Sequence, residues 1–276
     1  VTDWARTPPP EPPRPGLTGM LRAVLRLLLI AIVIYGLLIV LLSIRLIESL
    51  TRKWRAGRRL SPRVVQLASR LSLGVMGIRL HQDGRPMRHP GAIVSNHASW
   101  LDIFVLSAAA PVHFVSKAEV GKWPVVGFIA RAAGTVFIER RASHARRQKA
   151  QFTRHLLAGD RLLFFPEGTS TDSRRVVGFK STLFAAFFDG NLASHLWIQP
   201  CCVIYHAPDG RDPRFFGWWG DMEFAPHFLM ILTEPRRGEV EVIFLDPVRV
   251  SDFPDRKALA LHCENAVRKT FDTRRR

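Results

Sequence analysis

GAIVSNHASWLDIFVLSAAA, residues 91–110, holds two periodicities back to back. Its first five positions are apolar and β-branched in the manner of a buried strand, and the run from Trp100 reads as a helix. His97 and Asp102, with four residues between them, fall at a strand-to-helix transition, where open α/β sheets tend to place their chemistry. A carboxylate behind an imidazole fixes its tautomer and stabilises its protonated form. The second ring nitrogen is then free to act as a general base. The competing reading is structural: His97 caps the helix and Asp102 is a solvated first-turn acid. The H-x4-D spacing alone leaves both open.

Outward from this stretch, strands and helices alternate. Residues 78–81 and 92–95 read as the first strands, flanking a turn at Asp83-Gly84. Residues 112–115 form a short strand that places Lys117 at its end, where a solvated loop lysine is the alternative. Residues 125–133 are apolar and helical, stopped by Gly134. Residues 135–138 make a strand closed by Glu139, Arg140 and Arg141. Arginines there suit fork-shaped recognition of a phosphate or a solvated edge equally well. A basic amphipathic helix is predicted over 143–159. Residues 162–165 form a buried strand running straight into PEGTSTDS. The glycine of that turn (Gly168), the hydroxyls of Thr169 and Ser170 and the backbone N–H groups could receive a polar head group. Residues 179–188 read as a helix and 198–204 as a strand, which Pro200 places at an edge or bulge. A strand at 239–245 and a helix at 255–270 follow. The pattern predicts an α/β fold with a mixed central sheet flanked by helices.

The chain has 276 residues, 47% of them hydrophobic, so a sizeable core is available. Its net charge of +17 favours an anionic partner. Nucleic acid is the rival to a membrane, but no zinc-finger, RNP or basic-zipper pattern is present. The basic residues instead gather around LLLIAIVIYGLLIVLLSI, residues 27–44, where they would meet anionic headgroups. That run is at the lower edge for a spanning helix of about 20 residues. Arg22 and Arg26 precede it, and Arg45, Arg52, Lys53, Arg55, Arg58, Arg59 and Arg63 follow. The excess on the C-terminal side predicts that side to be cytoplasmic. No small-residue cleavage site follows, which argues against a signal peptide. A shallow, one-leaflet anchor is the alternative to a spanning helix. Residues 1–16, starting at Val1 rather than methionine, are proline-rich and read as extended or disordered. Ser61-Pro62 is a helix start, and the amphipathic helix over 63–76 either lies along the membrane or closes the domain. Cys201, Cys202 and Cys263 match no zinc spacing and read as buried free thiols. Asp221, Glu223 and His227 fit no strong metal pattern, so no metal is expected. Phe215, Phe216, Trp218 and Trp219 suit either a headgroup-level belt or core packing.

Four blocks taken together resemble the glycerolipid acyltransferases of the lysophosphatidic acid acyltransferase (PlsC-like) type: NHASWLD (96–102), GTVFIERR (134–141), FPEGTS (165–170) and IQPCCV (198–203). The resemblance covers roughly residues 78–204. It implies transfer of a fatty acyl group from an acyl-carrier-protein or coenzyme A thioester to a lysolipid hydroxyl. It also implies His97 as base, Asp102 as its orienting partner, and Lys117 near the reacting carbonyl. Arg140 falls on the arginine associated with the acceptor's phosphate, Glu167 and Gly168 on acceptor-binding residues, and Pro200 on a structural proline. The chain then divides into a proline-rich start (1–20), a membrane anchor or transmembrane helix (21–50) and a cytoplasmic acyltransferase domain (51–276) at the inner membrane.

The residue chemistry agrees. No serine or cysteine sits in a nucleophile elbow, so direct attack of the acceptor hydroxyl on the thioester is the simplest mechanism, with no cofactor. Backbone N–H groups or Lys117 could stabilise the developing oxyanion. Phosphatidic-acid-forming members commonly carry arginine immediately after FPEGT, where this chain has Ser170. Arg174 and Arg175 follow shortly after and could substitute. The expected acceptor is 1-acyl-sn-glycerol-3-phosphate. Lyso-ornithine lipid is the alternative that the missing arginine raises, and a non-catalytic basic membrane-binding protein is a third reading.

Overall fold

The structure, a computed structural model, describes all residues except 1–2, 12–14, 52–53, 123–125, 139–154, 157–159, 189–191 and 276. A long helix, α1 (Leu17–Thr51), turns back into α2 (Trp54–Met76). Then come β1 (Ile78–Asp83), β2 (Gly91–Ser95), α3 (Asp102–Ala109), β3 (His113–Lys117), α4 (Val126–Ala133), β4 (Val136–Ile138) and β5 (Arg161–Phe164). A 3-10 segment, Ser181–Phe188, precedes β6 (Trp197–His206), α5 (Phe224–Thr233), β7 (Gly238–Phe244), β8 (Val248–Arg249) and α6 (Arg256–Arg274).

The sheet runs β1-β7-β6-β2-β5-β3-β4, with β8 also paired to β6. All neighbours are parallel except β7 and β8 against β6. Helices cover both faces, as central parallel strands require. Along β6, Cys201, Val203 and Tyr205 face α2, α3 and α5, while Cys202 and Ile204 face α6 and the 3-10 segment. The three cysteines are free and buried. Burial raises the thiol of Cys202 well above its usual range and that of Cys263 to about 12, so neither is a ready nucleophile.

Several expectations change. The first two strands, which the sequence left without a pairing, lie apart in the sheet: β1 joins β7, more than 150 residues on, with Ile78 opposite Gly238. Pro200 is not at a sheet edge. It sits opposite Val94 in the central strand, where the antiparallel neighbour passes from β7 to β8. Gln199 fills that break, accepting from Met87 N (2.7 Å) and donating to the Leu245 and Arg85 carbonyls (2.8 and 3.0 Å). A proline is tolerated there because the ladder asks for no N–H. Pro62 does not start α2 but lies inside it, forfeiting one backbone bond within a helix that packs along α1 and α3. Residues 181–188 are 3-10 rather than α-helical.

Residues Leu17–Ile44 of α1 are apolar and long enough to cross a membrane. At 1.5 Å per residue they reach roughly 40 Å. Leu21, Val24, Leu25, Leu28, Ile32 and Ile39 point outward, away from the protein. Arg22 and Arg26, in contrast, serve the fold. Arg22 donates to the Thr233 carbonyl (2.7 Å), and Arg26 donates to Leu232 (3.1 Å) and Glu234 (2.7 Å). They satisfy the carbonyls at the C-terminal end of α5, the end that attracts positive charge. α2 is fastened likewise, with Gln66 and Arg70 donating to Ala108 O (3.1 and 2.8 Å). The helix pair is therefore fastened to the rest of the fold through the N-terminal part of α1 and the body of α2.

The proline-rich start also has partners. Asp3–Arg6 form a 3-10 turn. Trp4 lies under the Arg175 guanidinium, 5.1 Å from it, and Thr7 O accepts from Trp219 Nε1 (3.2 Å). Phe215, Phe216 and Trp219 are buried, so this aromatic run is core rather than a headgroup belt.

Candidate active site

β2 ends at Ser95, and the loop over 96–101 folds onto the carboxylate that opens α3. Asp102 is fully buried. Its Oδ2 accepts from Ala98 N (2.8 Å), Ser99 N (3.0 Å) and His97 Nδ1 (2.7 Å), and its Oδ1 accepts from Tyr205 Oη (2.7 Å). Four donors face it, the surroundings that a carboxylate fits. The solvated-acid reading of Asp102 is thus overturned. So is the helix-cap reading of His97, whose ring bonds the carboxylate instead. With Nδ1–H donated to Asp102, Nε2 is the unprotonated nitrogen of the neutral ring. The His97 side chain is 20% exposed, enough to meet a substrate.

Three residues to which the sequence reading gave no role hold this pair. Phe165 stacks on the imidazole, with centroids 4.0 Å apart and planes 11° apart. Tyr205 reaches across from β6, and burial, with Asp102 next, raises its phenol well above the ordinary value, so it stays an O–H donor. Asn96 pairs both backbone groups of Val203 through its side chain (2.8 and 2.9 Å), prolonging the β2–β6 ladder by one residue. The signals were present but faint. Phe165 directly precedes the Pro-Glu-Gly turn, and Tyr205 lies on the same β6 face as Cys201 and Val203.

Glu167, which the resemblance assigns to the acceptor, is turned inward. It is 1% exposed, and its oxygens accept from His97 N (2.8 Å) and Val177 N (2.9 Å). It acts as a strut between the histidine loop and the segment after FPEGTS. Gly168 makes this turn at φ +71°, a left-handed value that favours glycine, and a Cβ there would lie 2.7 Å from Lys180 Nζ. Thr169 is exposed and Ser170 half-buried on the same turn. Lys117 ends β3 opposite Ile138, but its side chain lies outside the described residues, as does the whole of Arg140. The predicted helix over 143–159 also falls largely outside them. Among the described residues no group of three metal-binding side chains occurs. His227 is occupied otherwise, accepting from Trp100 Nε1 (2.9 Å) and donating to Phe215 O (3.1 Å). Burial holds its pKa down at about 4, so it stays neutral.

Burial pushes the Glu167 carboxyl up to about 8, against the pull of its two backbone N–H groups. The folded chain therefore holds a proton there that the unfolded chain releases near the ordinary value of 4.5. Glu167 thus takes stability away as the pH rises through that window. A Glu167→Gln variant has no such titration, and its amide offers one oxygen to two N–H groups. We expect it to be less stable by about 1–3 kcal/mol near pH 5, with the deficit shrinking toward pH 8. Thermal unfolding at the two pH values checks this, and a deficit that grows with pH would contradict it.

Comparison with known proteins gives a consistent picture. A family model described as Acyltransferase matches residues 77–204. A lyso-ornithine lipid O-acyltransferase of Rhodobacter capsulatus is 47% identical over 270 residues, covering 98% of this chain and 96% of that protein. A lyso-ornithine lipid O-acyltransferase of Brucella abortus is 40% identical, covering 72% of this chain and 78% of that protein. A 1-acyl-sn-glycerol-3-phosphate acyltransferase of Neisseria meningitidis is 39% identical, covering 67% of this chain and 72% of that protein. In fold, the crystal structure of PlsC, the 1-acyl-sn-glycerophosphate acyltransferase from Thermotoga maritima, superposes with a TM-score of 0.66 at 19% identity. The match covers 92% of this chain and 95% of that one.

Proposed function

Because the chain belongs to the PlsC-type acyltransferase family, we propose that it esterifies the free hydroxyl of lyso-ornithine lipid with a fatty acyl group taken from a thioester. The observation that carries the head group is the likeness to the Rhodobacter enzyme over nearly the whole of both chains. Ser170 agrees with it, standing where phosphatidic-acid-forming relatives commonly have arginine. The 1-acyl-sn-glycerol-3-phosphate acceptor is the second reading, favoured by the Neisseria likeness.

In this reading His97 Nε2 removes the proton of the acceptor hydroxyl as its oxygen attacks the thioester carbonyl. The tetrahedral oxyanion is stabilised by backbone N–H groups or by Lys117. Collapse forms the ester and breaks the carbon–sulfur bond, and the imidazolium returns its proton to the departing thiolate. Asp102 holds the ring and balances its transient charge. The chemistry is complete without metal or cofactor. Arg140 is assigned to the acceptor end of the site, and the turn of Gly168, Thr169 and Ser170 to its rim. Glu167 positions the histidine loop rather than touching lipid. The outward apolar face of α1 seats the enzyme in an anionic membrane, with the catalytic domain on the cytoplasmic side that holds the acyl thioesters.

The test is acyl transfer by the purified full chain in liposomes. Acyl-carrier-protein and coenzyme A thioesters are offered in parallel, with lyso-ornithine lipid and 1-acyl-sn-glycerol-3-phosphate as acceptors. The proposal expects turnover on the ornithine acceptor at a kcat/KM about tenfold or more above the phosphate acceptor. Equal or higher kcat/KM on the phosphate acceptor would replace the head group assigned here.

A further inference from the structure

Around the segment after FPEGTS, charge gathers that the acid–base pair does not use. Asp172 is forked by Arg175 (3.0 and 2.8 Å), and Asp212 by Arg214 (3.1 and 2.8 Å). Two half-buried arginines are left over. Among the described residues, neither Arg174 nor Arg275 has an ion-pair partner. They stand side by side, with Arg275 donating to the Arg174 carbonyl. Burial first, and the Arg275 charge second, lower the Arg174 pKa from its ordinary value, against the weaker pull of Asp172 and Asp212 nearby. Arg275 also lies over the Phe271 ring, 5.5 Å from its centroid, and two guanidiniums gathered without a carboxylate partner suit an anion.

The two arginines line two adjoining cavities, of about 450 and 300 Å³, which share Arg174, Pro213 and Arg275. The larger also holds the Asp172 and Asp212 pairs. The smaller holds Asp209, an exposed carboxylate with no ion-pair partner among the described residues. Both signs of charge are therefore present, with the positive sign in excess. Two contacts connect the lining of the site with residues of the reaction centre. The Thr171 hydroxyl bridges the carbonyls of His97 (3.2 Å) and Arg175 (3.3 Å). Tyr205, which holds Asp102, lines the smaller cavity.

We propose that Arg174 and Arg275 bind the carboxylate of an amino-acid lysolipid, and that Asp209 receives its ammonium group. This deepens the acceptor reading above and rests on it. Ornithine acylated on its α-nitrogen keeps one carboxylate and one ammonium, separated by its short side chain. A zwitterion of that kind answers both signs of the site. A phosphate dianion would meet the same arginines but has no cation to offer Asp209.

The experiment compares lyso-ornithine lipid with its methyl ester, its δ-N-acetyl derivative and 1-acyl-sn-glycerol-3-phosphate, using full-length protein in liposomes. On the wild type, esterification is expected to raise KM by about tenfold or more, with kcat within about twofold. A double variant, Arg174→Gln with Arg275→Gln, is expected to raise KM for the acid to a similar degree and no longer to distinguish acid from ester. Asp209→Asn should raise KM for the parent lipid and leave the N-acetyl derivative unaffected. The substrate changes on wild-type protein keep the test decisive if a variant folds poorly. Wild-type turnover of the ornithine lipid with equal KM for acid and ester would overturn the site alone. So would a double variant that still discriminates between them. Wild-type turnover of only the phosphate acceptor would overturn the acceptor reading and the zwitterion site with it.

Discussion

Replacing His97 with alanine is expected to lower acyl transfer by about 10²–10⁴-fold, the usual contribution of a positioned general base. The variant should fold. The imidazole is partly exposed and leaves behind a carboxylate that still accepts from Ala98 N, Ser99 N and Tyr205 Oη. The backbone N–H of residue 97, which Glu167 receives, survives the substitution. Membrane association should survive too, because the outward side chains of α1 carry it and lie on a separate element. Turnover and liposome flotation, measured on the same preparation, separate the two effects. Activity within about tenfold of wild type would mean that the acceptor hydroxyl loses its proton to another group. Loss of flotation together with activity would mean that residue 97 supports the fold.

The parts of this molecule that were legible in its sequence are those whose physics is local. The β-branched run at 91–95, the glycine stop at Gly134 and the strand entering PEGTS depend on neighbours in the chain, and the structure has all three. The His97–Asp102 pair was visible as a spacing, but its meaning was not, because the meaning depends on burial. Only the folding of Ala98 and Ser99 onto Oδ2, and of Tyr205 onto Oδ1, turns a first-turn acid into a buried one. Tyr205 lies 103 positions from Asp102 and comes near it because β6 pairs with β2 in a register that sets Ser95 opposite Cys201. No periodicity reports that register. The same holds for β1 against β7. For Arg22 and Arg26, a charge beside an apolar run looks alike whether it meets headgroups or the carbonyls of α5. Glu167 shows the opposite case: the motif was recognised, yet nothing in it announces that the side chain is buried on two backbone donors, because those donors come from residues 70 positions before it and 10 after.

Asp102→Asn is expected to cost about 10²–10³-fold in kcat/KM, and the way it does so separates charge from orientation. The backbone donors of Ala98 and Ser99 converge on the oxygen that also meets His97, so the asparagine carbonyl must occupy that position. Its NH₂ then faces Tyr205, whose hydroxyl can rotate from donor to acceptor. The histidine tautomer is thereby kept, and the negative charge behind the imidazolium is lost. An imidazolium that is harder to form is a weaker base, and the acid limb of the kcat/KM profile should move to lower pH. Tyr205→Phe acts in the other direction. It removes one donor from a carboxylate that keeps three, so the full negative charge falls on the ring, and the acid limb should move to higher pH. The rate loss for Tyr205→Phe should be about tenfold, the low end of what one hydrogen bond to a charged group is worth, because three donors and the charge remain. Opposite displacements in pH–rate profiles of the two variants are what a base–carboxylate–phenol chain requires. Displacement of both in the same direction would make Tyr205 a packing residue and leave Asp102 to hold His97 without its help.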